Sequence, residues 1–340
     1  MSLLITGRRG GRSSSVGLAI RLARRQPHVA VVRAAITTTT PVTAITKSTS
    51  TASIAPMRIA FATCAAHSEG LPDDRQVAEI VGADFHVWDD QAVDWSAYDR
   101  VVIRSTWDYS HRVGEFVEWC RSVGSERLRN VTELVAFNVD KRYLAVLNAP
   151  TAPTSFLEPG DEMPEYDHEV VIKPNISAGA RNTGRFQPDA ADQAAALVAI
   201  IHASGRTALI QPYLAGVDEQ GETGVVFLGG IRSHVLRKRP VLRTAGIAPL
   251  ADTAHAPAAV MLEQDLVSAS TATVAELALA DAVHTEVTDR FGTPLYARVD
   301  MIPGPEGEPV LLELEVIEPN LHLDLVPGAV ERLAVAILAS

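Results

Sequence analysis

Two short segments near the C-terminus constrain this chain more than any other feature. Tyr296 to Ile302 (YARVDMI) and Pro309 to Ile317 (PVLLELEVI) flank the turn-rich stretch Pro303–Glu308. Folded back as an antiparallel hairpin with Asp300 opposite Glu313, Ala297 meets Val316, Val299 meets Leu314 and Met301 meets Leu312. All three pairs are apolar and share one face. Side chains alternate along a strand, so the other face receives Arg298 opposite Glu315 and Asp300 opposite Glu313. A slip of one residue would mix the faces, which makes this register well specified.

Three carboxylates on one small patch repel one another, since like charges across strands are destabilising. Arg298 supplies one compensating charge. A hard divalent cation held by carboxylate oxygens fits better, and Mg²⁺ in particular takes one or two carboxylates and completes its shell with water and phosphate. Asp300, Glu313 and Glu315 are therefore the expected metal ligands, with Mn²⁺ as a substitute ion. A solvated acidic strand face is the alternative for an isolated Glu-x-Glu. The aligned Asp300 and Arg298, with Glu318-Pro319-Asn320 just beyond, favour the metal.

Upstream, short apolar runs alternate with helical patterns. Arg58–Thr63, Phe85–Trp88 and Val101–Ile103 read as strands, and Asp74–Val81 and Phe116–Val123 as helices, which predicts a small parallel α/β domain. The polar string Arg104-Ser105-Thr106-Trp107-Asp108-Tyr109 falls at the carboxyl end of a strand, the edge where open α/β sheets bind ligands. Val170–Lys173 is the next strand, followed by a small polar loop from Pro174 to Gly184. Such a loop can turn backbone N–H groups toward phosphate with Lys173 adding a point charge, though an ordinary flexible turn reads equally well. Asp189 can cap a helix stopped by Gly205, Leu209-Ile210 is a strand, and the apolar spacing of Thr273–Phe291 predicts a helix closed by Gly292. Residues 244–260, rich in Ala, Pro and Gly, read as a mobile loop.

The chain has 340 residues and a formal net charge of −11. Residues 1–56 hold eight of the 30 Lys and Arg and none of the 41 Asp and Glu, and 11 of the 17 residues from Thr37 to Ser53 are Ser or Thr. That segment is too polar to pack and reads as a disordered basic extension, transit-peptide-like in composition, with the folded protein starting near Met57. The rest is strongly acidic, which argues against a nucleic-acid partner. No apolar run approaches the ~18 residues that span a bilayer, so no membrane partner is expected and a cytoplasmic location is. Two cysteines, Cys64 and Cys120, cannot build a disulfide scaffold.

Seven strings in order resemble the ATP-grasp superfamily in its glutathione-synthetase-like form: NVDKRYL (138–144), VIKPNISAGARNTGRF (171–186), LIQPYL (209–214), GETGVVFLGG (221–230), SHVLRK (233–238), YARVDM (296–301) and LLELEVIEPNLHL (311–323). The resemblance implies an α/β protein of α+β ATP-grasp type. A pre-ATP-grasp substrate domain (57–135) would precede a lid subdomain (136–210) and a C-terminal subdomain carrying the metal site (211–340). Two antiparallel α/β units would clamp ATP. Lys141 and Lys173 would hold its phosphates, although Lys141 alone reads as a surface lysine. The loop with Ser177, Gly179 and Thr183 would close over them, and Gln211, Tyr213 and Leu214 would form the hinge that reads adenine. Arg298 and Lys238 would stabilise charge on the transferred phosphate. Three positions depart from the usual pattern. Ala180 stands where a second glycine is frequent, and Gly224 where a hydroxyl is common, which leaves the nucleotide-binding role of Glu222 open. Glu315 stands where Asn is frequent.

The implied activity is an ATP-dependent carboxylate–amine ligase that works through an acyl phosphate, releases ADP and phosphate and takes a small amino-acid-like substrate. The whole-length pattern looks most like the cyclo-ligases that close O-ureido-serine in cycloserine biosynthesis. A silent ATP-binding regulator and a metal-dependent phosphohydrolase are the alternatives. Arg104, Trp107, Asp108 and Asn320 are the substrate-facing candidates, with Arg237, Arg239 and His322 further ones. Simple packing is the alternative for Trp107, and a solvated strand face for the last two arginines.

Overall fold

The computed structural model describes residues 57–249 and 257–340, so the expected basic extension and part of the 244–260 loop lie outside the described residues. The chain opens with strand β1 (Ile59–Thr63), helix α1 (Pro72–Val81), β2 (Ala83–Val87), β3 (Arg100–Ile103), α2 (Val113–Val123), β4 (Leu128–Arg129) and α3 (Thr132–Asn138). It continues through β5 (Ser155–Leu157), β6 (Val170–Pro174), β7 (Gly184–Phe186), α4 (Ala191–Ala203), β8 (Ala208–Pro212) and α5 (Gly216–Gln220). The remainder is β9 (Glu222–Leu228), β10 (Ile231–Lys238), β11 (Gly246–Ile247), β12 (Val267–Ser270), α6 (Val274–Phe291), β13 (Tyr296–Pro303), β14 (Pro309–Glu315) and α7 (Ala329–Ala339).

Three sheets result. The first is wholly parallel in the order β2-β1-β3-β4, and β1 is buried along its whole length, as a strand covered on both faces must be. Its α1 has Pro72 in the first turn with Asp73 and Asp74, and stops at Gly82 in the left-handed region. The other two sheets are antiparallel: β11-β7-β6-β8-β5, and β12-β10-β9-β13-β14. The expected α/β class with a parallel leading sheet and two antiparallel units is the observed one.

The hydrophobic clusters show how these layers join. Ile59 and Phe61 of the first sheet and Val77 of α1 pack in one core with Val226 and Leu228 of the third sheet and Leu333 and Ile337 of α7. The second sheet has its own core, built from Val170, Ile172 and Phe186 against Leu197 and Ile201 of α4. The cavity described below lies between these bodies. Helix α6 starts as expected, with a reciprocal capping box between Thr273 and Glu276, and Gly292 follows it at φ +83. Helix α4 does not use Asp189 as a cap: a single 3-10 turn over Pro188–Ala190 leads in, and no side chain caps the helix. Within the described part of the 244–260 stretch, β11 pairs with β7 and the Ala248 amide donates to the Thr183 carbonyl at 2.8 Å.

The C-terminal hairpin forms with Arg298 opposite Glu315, Val299 opposite Leu314 and Asp300 opposite Glu313. Beyond Asp300 the register shifts and Met301 meets Leu311 instead of Leu312. This bulge turns Leu312 toward the cavity beside Glu313. The ladder also ends at Arg298–Glu315, short of the expected Ala297–Val316 pair. There the Asn130 amide bridges the strands, donating to the carbonyls of Tyr296 and Val316 at 2.8 Å each. Strand β14 is an edge strand, and side chains close its open edge: Asn138 Nδ2 and the Tyr143 hydroxyl both donate to the Leu314 carbonyl. Among the described residues no helix is long and apolar enough to cross a membrane.

Candidate active site

A cavity of about 860 Å³ takes its walls from the two antiparallel sheets and from the segments that follow β1 and β3 of the parallel one. Every site residue expected from the sequence lines it except Arg104, Arg237 and Arg239. The lining includes Lys141, Lys173, Ser177, Gly179, Thr183, Gln211, Tyr213, Leu214, Glu222 and Lys238, together with Arg298, Asp300, Glu313, Glu315, Trp107, Asp108 and Asn320.

Alternation on the hairpin puts Arg298, Asp300, Glu313 and Glu315 on the cavity face. The Arg298 guanidinium is the hub: Nε and Nη2 each donate to a carboxylate oxygen of Asp300 at 2.8 Å, Nη2 also reaches Glu315 at 2.5 Å, and Nη1 donates to the Asn320 carbonyl at 2.7 Å. Lys141 Nζ lies 3.0 Å from Glu313 and donates at 3.0 Å to the Ser177 carbonyl, joining the hairpin to the lid loop. Lys238 Nζ is paired with both oxygens of Glu222 at 3.0 and 3.1 Å. Lys173, at the end of β6, is buried among these groups. Burial pushes its ammonium down to about 8 against the pull of Glu313, and neighbouring Lys141 adds to the depression.

The acids differ in their electrostatics. Burial alone would raise Asp300 and Glu313, but Arg298 holds Asp300 below its ordinary range, and Lys141 with Lys173 does the same for Glu313. Glu315 is pushed up to about 7 by burial, which Arg298 opposes and the charges of Asp300 and Glu313 reinforce. Among the described residues no three His, Cys, Asp or Glu side chains converge as a ready-made metal centre, because these acids are turned onto Arg298 and Lys141. The donor set nevertheless fits Mg²⁺: oxygen ligands only, three acids against the two cations paired with them, beside cationic groups that suit phosphate.

The loop after β6, expected as the lid, lines the cavity beside this floor. Gly179 has φ +65, and a Cβ there would come 2.7 Å from Pro257 Cβ, so the close approach requires glycine. Ala180 and Asn182 also lie in the left-handed region, at φ +54 and +49. Arg181 bonds Ser110 and His111 of the first unit, and Arg206 bonds the Ser110 carbonyl, so two arginines latch the lid against the turn that carries Trp107. Just after β8, the Arg185 guanidinium stacks 3.5 Å over the Tyr213 ring while pairing with Glu169 at 2.6 and 2.9 Å.

On the substrate side the sequence reading needs correction. Arg104 does not face the cavity: it is 2 % exposed, its Nε donates to Asp74 at 2.7 Å, and its guanidinium lies over the Tyr296 ring. It is an internal strut between α1 and the hairpin sheet. Arg237 and Arg239 are also outside the cavity, near Glu276 and Glu263 respectively. Asp108 lines it, but its carboxylate is occupied by Trp88 Nε1 at 2.9 Å and Arg112 at 2.8 Å. Trp107 Nε1 donates to the Glu318 carbonyl at 3.1 Å, and the His67 ring meets the indole edge-on at 4.9 Å. His322 lines the same region in a left-handed conformation, and burial with the charge of Arg298 holds it down to about 4, hence neutral. His67 and Arg181 were not picked out from the sequence. His67 follows β1 at the same carboxyl edge as Trp107, so the edge rule would have found it.

Residues 59–131 match the family described as the N-terminal domain of the D-cycloserine synthetase DcsG. Over 285 residues the chain is 34 % identical to the cycloserine biosynthesis protein DcsG of Streptomyces lavendulae, covering 78 % of this chain and 92 % of that protein. The chain belongs to the DcsG family of ATP-grasp ligases. The crystal structure of D-cycloserine synthetase DcsG superposes with a TM-score of 0.71 at 29 % identity, covering 83 % of this chain and 99 % of that one. A D-alanine–D-alanine ligase from Bacillus anthracis in complex with ATP shares the fold at a TM-score of 0.55 and 13 % identity, covering 83 % of this chain and 96 % of its own. An ATP-grasp RimK domain protein from Sphaerobacter thermophilus does so at 0.55 and 14 %, covering 83 % of this chain and 99 % of its own. Membership of the DcsG family makes the protein an enzyme that forms a carbon–nitrogen bond at the expense of ATP.

Proposed function

We propose that this ligase closes a small amino-acid-like substrate of the O-ureido-serine type through an acyl phosphate, as a step of cycloserine biosynthesis in the cytoplasm. The observation that carries the reading is the Lys141–Glu313 pair, which sits between the lid loop and the acidic hairpin with buried Lys173 beside it. Lysines that tie a phosphate-sized loop to carboxylates suit a nucleotide whose phosphates point at the hairpin. Gln211, Tyr213 and Leu214 would then read the adenine. Residues 57–135 supply the substrate wall, 136–210 the lid and 211–340 the acidic floor.

A carboxylate is a poor electrophile, because its charge repels nucleophiles and its oxide leaves badly. In the proposed reaction a carboxylate oxygen attacks the γ-phosphorus, the bond to the β-phosphate oxygen breaks, and ADP departs. The substrate's own nitrogen then attacks the acyl carbon, loses its proton, and expels phosphate as a five-membered ring closes. Arg298 and Lys238 face the developing phosphate charge, Lys141 and Lys173 hold the nucleotide phosphates, and the latched lid excludes water. Asp300, Glu313 and Glu315 would hold Mg²⁺, which supplies charge neutralisation at the phosphates.

ADP release with O-ureido-serine, and with separate carboxylate and amine pairs, tests the reading. Substrate-dependent ADP release is expected, and Asp300→Asn, Glu313→Gln and Lys173→Ala should each lower it about 10²–10³-fold with the circular dichroism spectrum unchanged. ATP hydrolysis that ignores substrate would mark a phosphohydrolase instead, and tight binding of ATP without turnover a regulator.

A further inference from the structure

The acids around the cavity floor are matched to cations with one exception. Glu222 pairs with Lys238, Glu313 with Lys141, and Asp300 and Glu315 with Arg298, all within 3.1 Å. The Glu318 carboxylate lines the same cavity and, among the described residues, has no cation in direct ion-pair contact: its own backbone amide hydrogen-bonds it, and Lys141 and Arg181 act on it only from longer range. Its backbone is nonetheless fixed, because Trp107 Nε1 donates to the Glu318 carbonyl at 3.1 Å. A carboxylate whose backbone is fixed and which lacks a direct ion pair can take its counter-charge from a ligand.

We propose that Glu318 and the Trp107 ring form the subsite that holds the ammonium group of an amino-acid substrate. The proposal rests on the ligase reading above and names what that site recognises. Three observations converge on this chemistry. A half-buried carboxylate without a direct ion pair is completed by a small cation that donates hydrogen bonds. The adjoining wall is aromatic, with Trp107 against His67 in an edge-to-face contact at 4.9 Å, and an indole face near a carboxylate suits a primary ammonium. Finally, Glu318 lies beyond the end of β14, where Trp107 Nε1 ties the chain to the first unit, so it stands between the first unit and the hairpin acids Glu313 and Glu315, whose charges it feels. Burial and the charge of Glu315 push the Glu318 carboxyl up to about 8, as expected for an acid whose counter-charge arrives with the ligand.

The experiment uses the full chain with Mg²⁺ and a non-hydrolysable ATP analogue, and measures binding by calorimetry. The probes are O-ureido-serine and its N-acetyl derivative, which keeps the carboxylate and lacks the positive charge. The wild type should prefer the free amine by about 10²-fold, and Glu318→Gln should lower affinity for the free amine by about 30-fold or more while changing N-acetyl binding less than about threefold. Glu318→Asp, which keeps the charge on a shorter arm, should retain the preference. Equal loss for both probes, an unchanged Glu318→Gln protein, or no binding of either probe by the wild type would overturn the assignment. So would a changed Mg²⁺ requirement with intact discrimination, which would place Glu318 at the metal. Failure of the ligase reading has a separate signature, namely selective binding of the free amine without ADP release when ATP replaces the analogue.

Discussion

Gly224 lies directly across the ladder from Asp300, and a Cβ at position 224 would come 2.9 Å from Asp300 Oδ1. Asp300 cannot yield freely, because Arg298 grips both of its oxygens. The missing side chain on β9 is therefore what lets the Arg298–Asp300 pair lie flat against the sheet. Gly224→Ala should displace this pair and lower turnover by about 10- to 100-fold with little change in secondary structure. Steady-state ADP release together with circular dichroism checks this, and a fully active variant would show that the pair tolerates displacement.

Lys173 carries a pH dependence of defined sign. With its ammonium pushed down to about 8, the free enzyme loses this charge as pH rises through that value. Bound nucleotide phosphate favours the charged form and raises its pKa, so nucleotide binding above about pH 8 should take up a proton and weaken as pH increases. Calorimetry at about pH 8.5 in two buffers of different ionisation heat reads the uptake directly. Binding without proton exchange there would assign the phosphate contact to another group.

Ala180, at φ +54, holds a backbone conformation that costs an L-residue about 1–2 kcal/mol and glycine almost nothing. Ala180→Gly should stabilise the protein by about 0.5–1 kcal/mol after the added freedom of the unfolded chain is subtracted. A rise of about 2 °C in Tm is expected in thermal unfolding, and a fall would mean that the lid gains more from stiffness than it loses to strain.

Local patterns made much of this molecule readable in advance. The pairing of Arg298 with Glu315 and of Asp300 with Glu313 follows from alternation alone, and α6 from its cap and apolar spacing. The bulge after Asp300 could not be read, because Leu311 and Leu312 are both apolar and either satisfies the core face. Arg104 was misassigned for a related reason: its partner Asp74 lies 30 residues away on α1, and nothing local distinguishes a buried strut from a ligand-binding arginine. The latch from Arg181 to Ser110 and His111 spans about 70 residues and joins two separately folded sheets, so it exists only once both are assembled. Strands as short as β4 and β11, two residues each, carry no periodicity at all.

The acyl phosphate is the central chemical claim, and the fate of one oxygen atom tests it most directly. O-ureido-serine labelled with oxygen-18 in its carboxylate should yield, per turnover, inorganic phosphate carrying one labelled oxygen, because the oxygen that attacks the γ-phosphorus leaves with it. Unlabelled phosphate released during genuine substrate-dependent turnover would contradict the account.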